Sequence, residues 1–352
     1  MRWISVSALR QVWIISFCLA LPAFTASAAS ARAVTDRHMT LDVVVTDKSG
    51  TPVPGLQQQD FTLMDNKQPQ SILSFQAVGG TAAPDPPVEI ILLIDRVNTS
   101  FQSSANERQQ TEKFLRQNGG HLAQPVSMVF FSDSGTQMQN PTRDGNALIA
   151  ALDQSDSSLR SIRRSQGVYG AVDRFQLSIR ALNLLAAFEA NRPGKKMVIW
   201  LSPGWPLLSG SRMDLTSKQH QELFNEIVAA STALWRARIT LYSVDPLGTS
   251  DAGGFRTSYY KEFIKGVTTE NKAQAGNLGL QVLAYQSGGR VLNSSNDITG
   301  EIVNCIADAN AFYVLSFDAP PADGPNEYHG LEVKIGKPGL KAQARTLYYA
   351  QP

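Results

Sequence analysis

Cysteine is almost missing from this chain, and that excludes a disulfide-stapled framework. Cys18 lies in an N-terminal apolar run, and Cys305 stands in the helical pattern Ile302-Val303-Asn304-Cys305-Ile306-Ala307. A lone cysteine among apolar neighbours reads as a buried structural thiol rather than a nucleophile. Histidine is scarce as well. His38, His121, His220 and His329 are scattered, none at metal-ligand spacing from another, and His220 reads as solvated on a polar helix face. The chain lacks a Gly-x-Ser-x-Gly elbow, a His-Glu-x-x-His pair and a Walker loop. Beyond the N-terminus no apolar run is long enough to cross a bilayer.

What the N-terminus has is an export signature. Arg2 and Arg10 are its positive region, Val12 to Leu21 its apolar core, and Ala26-Ser27-Ala28 and Ala29-Ser30-Ala31 two small-residue cleavage options. The apolar core is shorter than the ~20 residues of a membrane span. Bulky Ile15-Ser16-Phe17 before Cys18 argues against a lipid anchor. We read residues 1–28 as a signal peptide and the protein as exported, periplasmic or secreted. Cleavage removes Cys18, Arg2 and Arg10 and leaves 30 basic against 30 acidic residues. That balance points to neither nucleic acid nor an anionic membrane surface.

The remaining chain is globular by composition, with 43% apolar and 18% charged residues. Its most telling segment is Val88-Glu89-Ile90-Ile91-Leu92-Leu93-Ile94-Asp95, an unbroken apolar run ending on an acid. Such a run is a strand buried on both faces. Val126 to Asp133, Lys195 to Ser202 and Ile239 to Pro246 repeat the pattern, with helical stretches between most of them. The predicted helices are 104–117, 144–152, 171–190 and 215–238. Alternating strands and helices predict a doubly wound, mostly parallel α/β sheet over residues 88–310. Residues 247–277, rich in Gly, Ser and Thr, read as a long surface excursion. Residues 36–80 and 311–350 are β-rich, and each is too small to stand alone. They are expected to pack together as one accessory β region, with 79–87 as a linker.

In open α/β sheets ligands bind beyond the carboxyl ends of the strands. Asp95, Asn98, Thr99 and Ser100 follow one such end, Ser202 and Trp205 a second, and Asp245 a third. We nominate these seven as a partner-binding crevice. Asp95 through Ser100 also suit an Asx-turn and a helix N-cap. Asp245-Pro246 equally suits a turn, and Trp205 is either an exposed contact or a lid folded onto the sheet edge. Arg160, Arg163 and Arg164 read as a solvated loop rather than an anion site.

These residues carry a resemblance. The order Val43-Val44-Val45-Thr46-Asp47-x-x-Gly50-x-Pro52-Val53-x-Gly55-Leu56, Asp60-Phe61, Ile94-Asp95 with Asn98-Thr99-Ser100 opens it. Arg192-Pro193-Gly194-Lys195-Lys196, Trp200-Leu201-Ser202-x-Gly204 and Tyr242-Ser243-Val244-Asp245-Pro246 continue it. Leu283-Ala284-x-x-Ser287-Gly288-Gly289-Arg290, Asn296-Asp297, Tyr313-Val314-Leu315 and Pro338-Gly339-Leu340 close it. Together they resemble the von Willebrand factor A-related proteins of the acidobacterial type. The resemblance implies a doubly wound domain that binds other macromolecules, often through a divalent cation held by an Asp-x-Ser-x-Ser loop, a Thr and a second Asp. Carried over residue by residue, Asp95, Thr99 and Ser202 remain as metal ligands. Val97 stands where the first Ser belongs and Pro203 where the second Asp belongs, and the loop 165–170 shows no Thr. One carboxylate and two hydroxyls leave Mg²⁺ or Ca²⁺ bound weakly or not at all, since hard cations take six or more oxygens. No other cofactor is implied.

Three functions stay open. The first is an exported module binding a protein partner. The second is a periplasmic hydrolase using Asp95, Asp245 and the crevice hydroxyls, with no evident base beside a nucleophile. The third is a structural envelope protein.

Overall fold

A computed structural model describes residues 37–79, 88–155, 167–206, 215–248 and 258–352. The expected signal peptide (residues 1–28), the expected linker beyond Gly79, the Arg160–Arg164 run and residues 165–166 of the 165–170 loop lie outside the described residues. Four short strands come first: β1 (His38–Thr46), β2 (Phe61–Asp65), β3 (Gln68–Gln70) and β4 (Ser74–Val78). The α/β portion follows with β5 (Val88–Asp95), α1 (Phe101–Leu115), β6 (His121–Ser132), β7 (Gly135–Asp144), α2 (Gly145–Ser155) and α3 (Gly167–Glu189). It continues through β8 (Lys195–Leu201), α4 (Ser217–Arg236), β9 (Ile239–Val244), α5 (Leu280–Gln286), β10 (Val291–Leu292) and α6 (Ile298–Ala307). Strands β11 (Phe312–Asp318), β12 (Glu327–Ile335), β13 (Lys341–Ala344) and β14 (Leu347–Ala350) complete the chain.

The protein is mixed α/β, built on a six-stranded, mostly parallel sheet in the order β10-β9-β8-β5-β6-β7. Strand alternation explains why it is covered on both sides. Ile91, Leu93, Val198, Trp200 and Leu241 enter one core with α3, α4 and α5. Ile90, Leu92, Ile94, Met197, Ile199 and Tyr242 enter the other with α1, α2 and α6. Each fully buried aliphatic contributes about 1.5–3 kcal/mol, which makes the central β5 and β8 the least replaceable elements. Cys305 sits in the second core, fully buried, and burial pushes its thiol well above the ordinary range.

Strand β7 departs from the sequence reading. It runs antiparallel to β6 at the sheet edge, and its residues are mostly exposed. An exposed edge strand carries no apolar run to betray it, and Pro141 is tolerated there because an edge N–H is dispensable. The 247–277 region also departs from its reading. In its described part, Val267, Ala273 and Asn277 are buried, and half-buried His220 of α4 bonds the Ala273 carbonyl through Nδ1 at 3.1 Å rather than standing in solvent.

The remaining strands form two antiparallel sheets, β13-β1-β11-β4 and β14-β12-β2-β3. Leu41 pairs with Leu315 in one, and Leu63 with Val333 in the other. Met39, Leu41, Phe61, Leu63, Tyr313, Phe317 and Tyr348 share the core between them. Of the four N-terminal strands, β1, β2 and β4 pair directly with C-terminal strands, and β3 joins them through β2. Where this β unit meets the α/β portion, Arg238 and Asp42 pair at 2.6 Å. The buried Lys195 ammonium lies 4.3 Å from the Phe312 ring centroid, where burial lowers its pKa despite the nearby Asp42 and Asp308 carboxylates. Buried Arg345 is drawn down to about 10 for the same reason. Among the described residues, no helix is long and apolar enough to cross a membrane.

Candidate functional site

The carboxyl ends of β5, β8 and β9 lie side by side. Ile94 registers with Leu201 and Leu201 with Val244, so Asp95, Ser202 and Asp245 occupy one row across three adjacent parallel strands. Neighbouring strands are about 4.8 Å apart, which puts the two carboxylates roughly two strand spacings apart.

Asp95 is fully buried and turns both oxygens inward. Its Oδ1 accepts from the Val97 N–H at 3.0 Å and the Asn98 N–H at 2.9 Å. Its Oδ2 accepts from Asn98 Nδ2 at 2.8 Å and from Trp200 Nε1 at 3.0 Å. The Ser202 hydroxyl also bonds it. Burial without an opposing cation raises the Asp95 pKa, while the bonds from Asn98, Trp200 and Ser202 work the other way. The consequence of this geometry is a locked Asx-turn at the strand end.

Each other nominated residue except Thr99 has a local task. Asn98 also donates to Ser178 Oγ on α3 at 2.9 Å, which ties the turn to that helix. Ser100 caps α1, accepting from the Ser103 N–H at 3.2 Å. Ser202 Oγ accepts from the Gly204 N–H at 3.1 Å, and Gly204 takes φ +95°, a conformation that glycine accommodates. Asp245 Oδ1 accepts from the Leu247 N–H at 2.9 Å. Trp205 is buried, its ring 5.4 Å from Trp200 at 68°, so it closes the sheet edge as a lid and is no exposed contact. Thr99 is buried with its hydroxyl unbonded to protein. Of the seven nominated residues, only Ser100 is more than marginally exposed.

Sequence reading missed four contributors. Trp200 supplies a donor to Asp95, although in the sequence it is one more apolar residue of a buried strand. Ser178 is a single hydroxyl in an apolar helix. Arg96 and Glu107 form a buried pair at 3.8 Å between the turn and α1, and a charged residue directly after Asp95 was the one available signal.

The cation that the resemblance implies does not fit these residues. Four N–H donors converge on the one carboxylate, and Val97, in place of the first hydroxyl, is packed into the core. A divalent ion needs oxygen lone pairs free of N–H donors, and the Asp95 oxygens are committed to such donors. Among the described residues, no group of three or more His, Cys, Asp and Glu side chains is placed to hold a metal.

No protein-family model matches the chain, and no curated protein matches it. Among solved structures, the pilus adhesin SpaC from Lactobacillus rhamnosus GG in its open conformation aligns with 85% of this chain and 49% of its own, at 11% identity and TM-score 0.39. A second structure of that adhesin aligns over the same shares at 11% identity and TM-score 0.38. The chain spans about half the length of these adhesins. At this similarity they define neither its fold family nor its function.

Proposed function

We propose that the chain is an exported binding module of the von Willebrand factor A-related type, contacting a protein partner through the loops at the carboxyl edge of its parallel sheet. The observation that carries this reading is the Asp95–Ser202–Asp245 row. All three side chains are buried and spent on holding their own loops. The row acts as a rigid frame for a contact surface rather than as the contact itself, and it works without a resident metal. Preorganised loops lose less entropy on binding. The hydrolase alternative is weaker, because a nucleophile must reach its substrate and neither Ser202 nor Asp95 has measurable exposure.

Site-specific photo-crosslinkers test the proposal. Placed at Ser100 and Pro206, near the carboxyl edge, they should trap one envelope protein. The same group at Asn118, near the amino end of the sheet, should not. Equal trapping at both ends overturns the reading, as does turnover of ester or glycoside substrates that disappears in Asp95→Ala. Export is tested by mass spectrometry, which should find a mature N-terminus just after Ala28 or Ala31. An intact Met1 in material outside the cytoplasm would refute it.

A further inference from the structure

One strand of the β unit has a free edge, for a reason visible in the chain path. On one side β12 pairs with β2 over Leu331–Ile335. On the other it pairs with β14 over Glu327–Gly330, and the ladder ends where the Leu331 N–H donates to the Thr346 carbonyl. Before Thr346 the chain is β13, which belongs to the facing sheet and pairs with β1. Among the described residues, no strand hydrogen-bonds to residues 332–335 on that side; β13 packs near β12 there, and its Ala342 and Ala344 line the gap. Alternation shows which groups face the gap. The Gly330 carbonyl and Gly336 N–H bond Asn66 and Asp60 on the β2 side. Successive residues point opposite ways, so Val333 and Ile335 aim their N–H and C=O groups at the gap. Such an edge is a template for another chain.

The gap is a groove of about 840 Å³, within the range of built ligand sites. Its far wall is close-packed. The Tyr328 hydroxyl donates to the Lys265 carbonyl at 2.7 Å, and Gln286 Nε2 donates to the Phe263 and Ile264 carbonyls at 3.3 and 3.4 Å. A Cβ on Gly266 would collide with Leu347 and Tyr328. Tyr285, 43% exposed, presents an aromatic face to the groove. Lys67, Lys265 and Arg345 line it against one acid, Glu332, which sits 3.5 Å from Lys334. Lys67 and Lys265 are exposed and have no acidic partner among the described residues.

We propose that this groove is a strand-addition site for an extended, acidic segment of a partner protein. Its backbone pairs with Val333 and Ile335, its carboxylates meet Lys67 and Lys265, and an apolar side chain rests on Tyr285. Main-chain pairing supplies the affinity of such sites and the flanking side chains supply selectivity. The site is separate from the strand-end frame and does not rest on the reading of it.

The test uses the mature full-length protein and three fluorescent six-residue peptides. One alternates Glu and Val, one alternates Lys and Val, and one is the Glu–Val peptide N-methylated at alternate residues. The Glu–Val peptide should saturate below about 1 mM and slow amide exchange at Val333 and Ile335 by about tenfold or more. The other two should bind at least about tenfold more weakly. The double variant Lys67→Glu, Lys265→Glu changes only exposed side chains and should reverse the charge preference. Val333→Pro removes an outward N–H while sparing the β2 ladder and should weaken the Glu–Val peptide. Saturating peptide should leave cross-linking from Ser100 and Pro206 undiminished, so each reading can fail alone. Absence of saturable binding, equal binding of all three peptides, or unprotected Val333 and Ile335 overturns the proposal. So does protection that grows with protein concentration alone, which would assign the groove to a second copy of the chain.

Discussion

Two buried aspartates, Asp95 in the parallel sheet and Asp65 in the β unit, are satisfied in opposite ways. Asp95 takes two backbone donors from the three residues that follow it, plus an amide and an indole. Asp65 takes partners from far along the chain. Its Oδ1 is 2.8 Å from His329 Nδ1 and its Oδ2 accepts the Tyr348 hydroxyl at 2.5 Å, 264 and 283 residues downstream. The imidazole and phenol rings stack at 4.8 Å, and Glu327 stands 3.5 Å from the other ring nitrogen. Asp95 therefore organises a loop, whereas Asp65 clamps β2 to β12 and β14. One carboxylate shapes a candidate binding edge; the other holds an N-terminal strand to two C-terminal ones.

The largest expected effect separates these roles. Asp95→Ala leaves four buried N–H donors without an acceptor, each worth about 1–3 kcal/mol when orphaned. Loss of a costly buried carboxylate offsets part of this, so destabilisation of about 3–4 kcal/mol is expected. Urea midpoints measure it, and amide exchange at Val97 and Asn98 should rise sharply. Asp65→Ala orphans fewer groups and should cost about 2–3 kcal/mol. It should loosen β12 and β14 while leaving Val97 and Asn98 protected. If both variants raise exchange at the same amides, the division of labour is wrong.

The same contrast explains what was legible in the sequence. The Asp95 turn was readable because its chemistry is local: a strand-ending Asp, then Asn, Thr and Ser. The alternating strands and helices of 88–310 were readable for the same reason. The Asp65–His329–Tyr348 cluster was not, since no local pattern announces a partner 264 residues away. His329 appeared merely as one of four scattered histidines. Trp205 was ambiguous because its neighbours Pro203, Gly204 and Pro206 mark a turn without saying which way the indole faces. Strand β7 was invisible because its pairing relies on backbone groups, to which composition is blind.

Two smaller substitutions sharpen the picture of the strand-end frame. Trp200→Phe removes the indole donor to Asp95 and some core volume, for about 1–2 kcal/mol. Val97→Ser restores the hydroxyl that the family resemblance places there, at about 1–2 kcal/mol of lost packing. Neither wild type nor Val97→Ser should gain thermal stability from millimolar Mg²⁺ or Ca²⁺, because the Asp95 oxygens stay committed to N–H donors. A cation that binds only the folded state would raise the melting temperature by mass action. Such a rise in Val97→Ser that vanishes with Asp95→Ala would restore a metal-dependent site.

The smallest effect is a slope. Burial raises the folded-state pKa of Asp95 above its ordinary 3.8. In the window from 3.8 up to that raised value, the folded protein keeps a proton that the unfolded chain has shed. Stability contributed by Asp95 is then fully present below the window and falls as pH rises through it. Within the cluster the Ser202 hydroxyl is the group able to accept that proton's hydrogen bond, since hydroxyls donate or accept and the other partners only donate. Asp308, also raised by burial despite the Arg290 guanidinium at 2.7 Å, contributes a slope of the same sign. Glu189, Glu226 and Glu301 are raised by burial as well, so wild type alone cannot separate these groups, but Asp95→Asn can. That variant keeps the acceptor for the Val97 and Asn98 N–H groups, sets an amide donor against Asn98 Nδ2 and Trp200 Nε1, and carries no titrating proton. Its stability deficit relative to wild type should be greatest near pH 4 and shrink steadily as pH rises, because only wild type comes to bear an ionised buried carboxylate. Urea midpoints at intervals between pH 4 and 8 give the curve. A deficit that stays flat or widens with pH would mean that the N–H donors outweigh desolvation, so that Asp95 is held ionised throughout, as a permanent anion at the sheet edge.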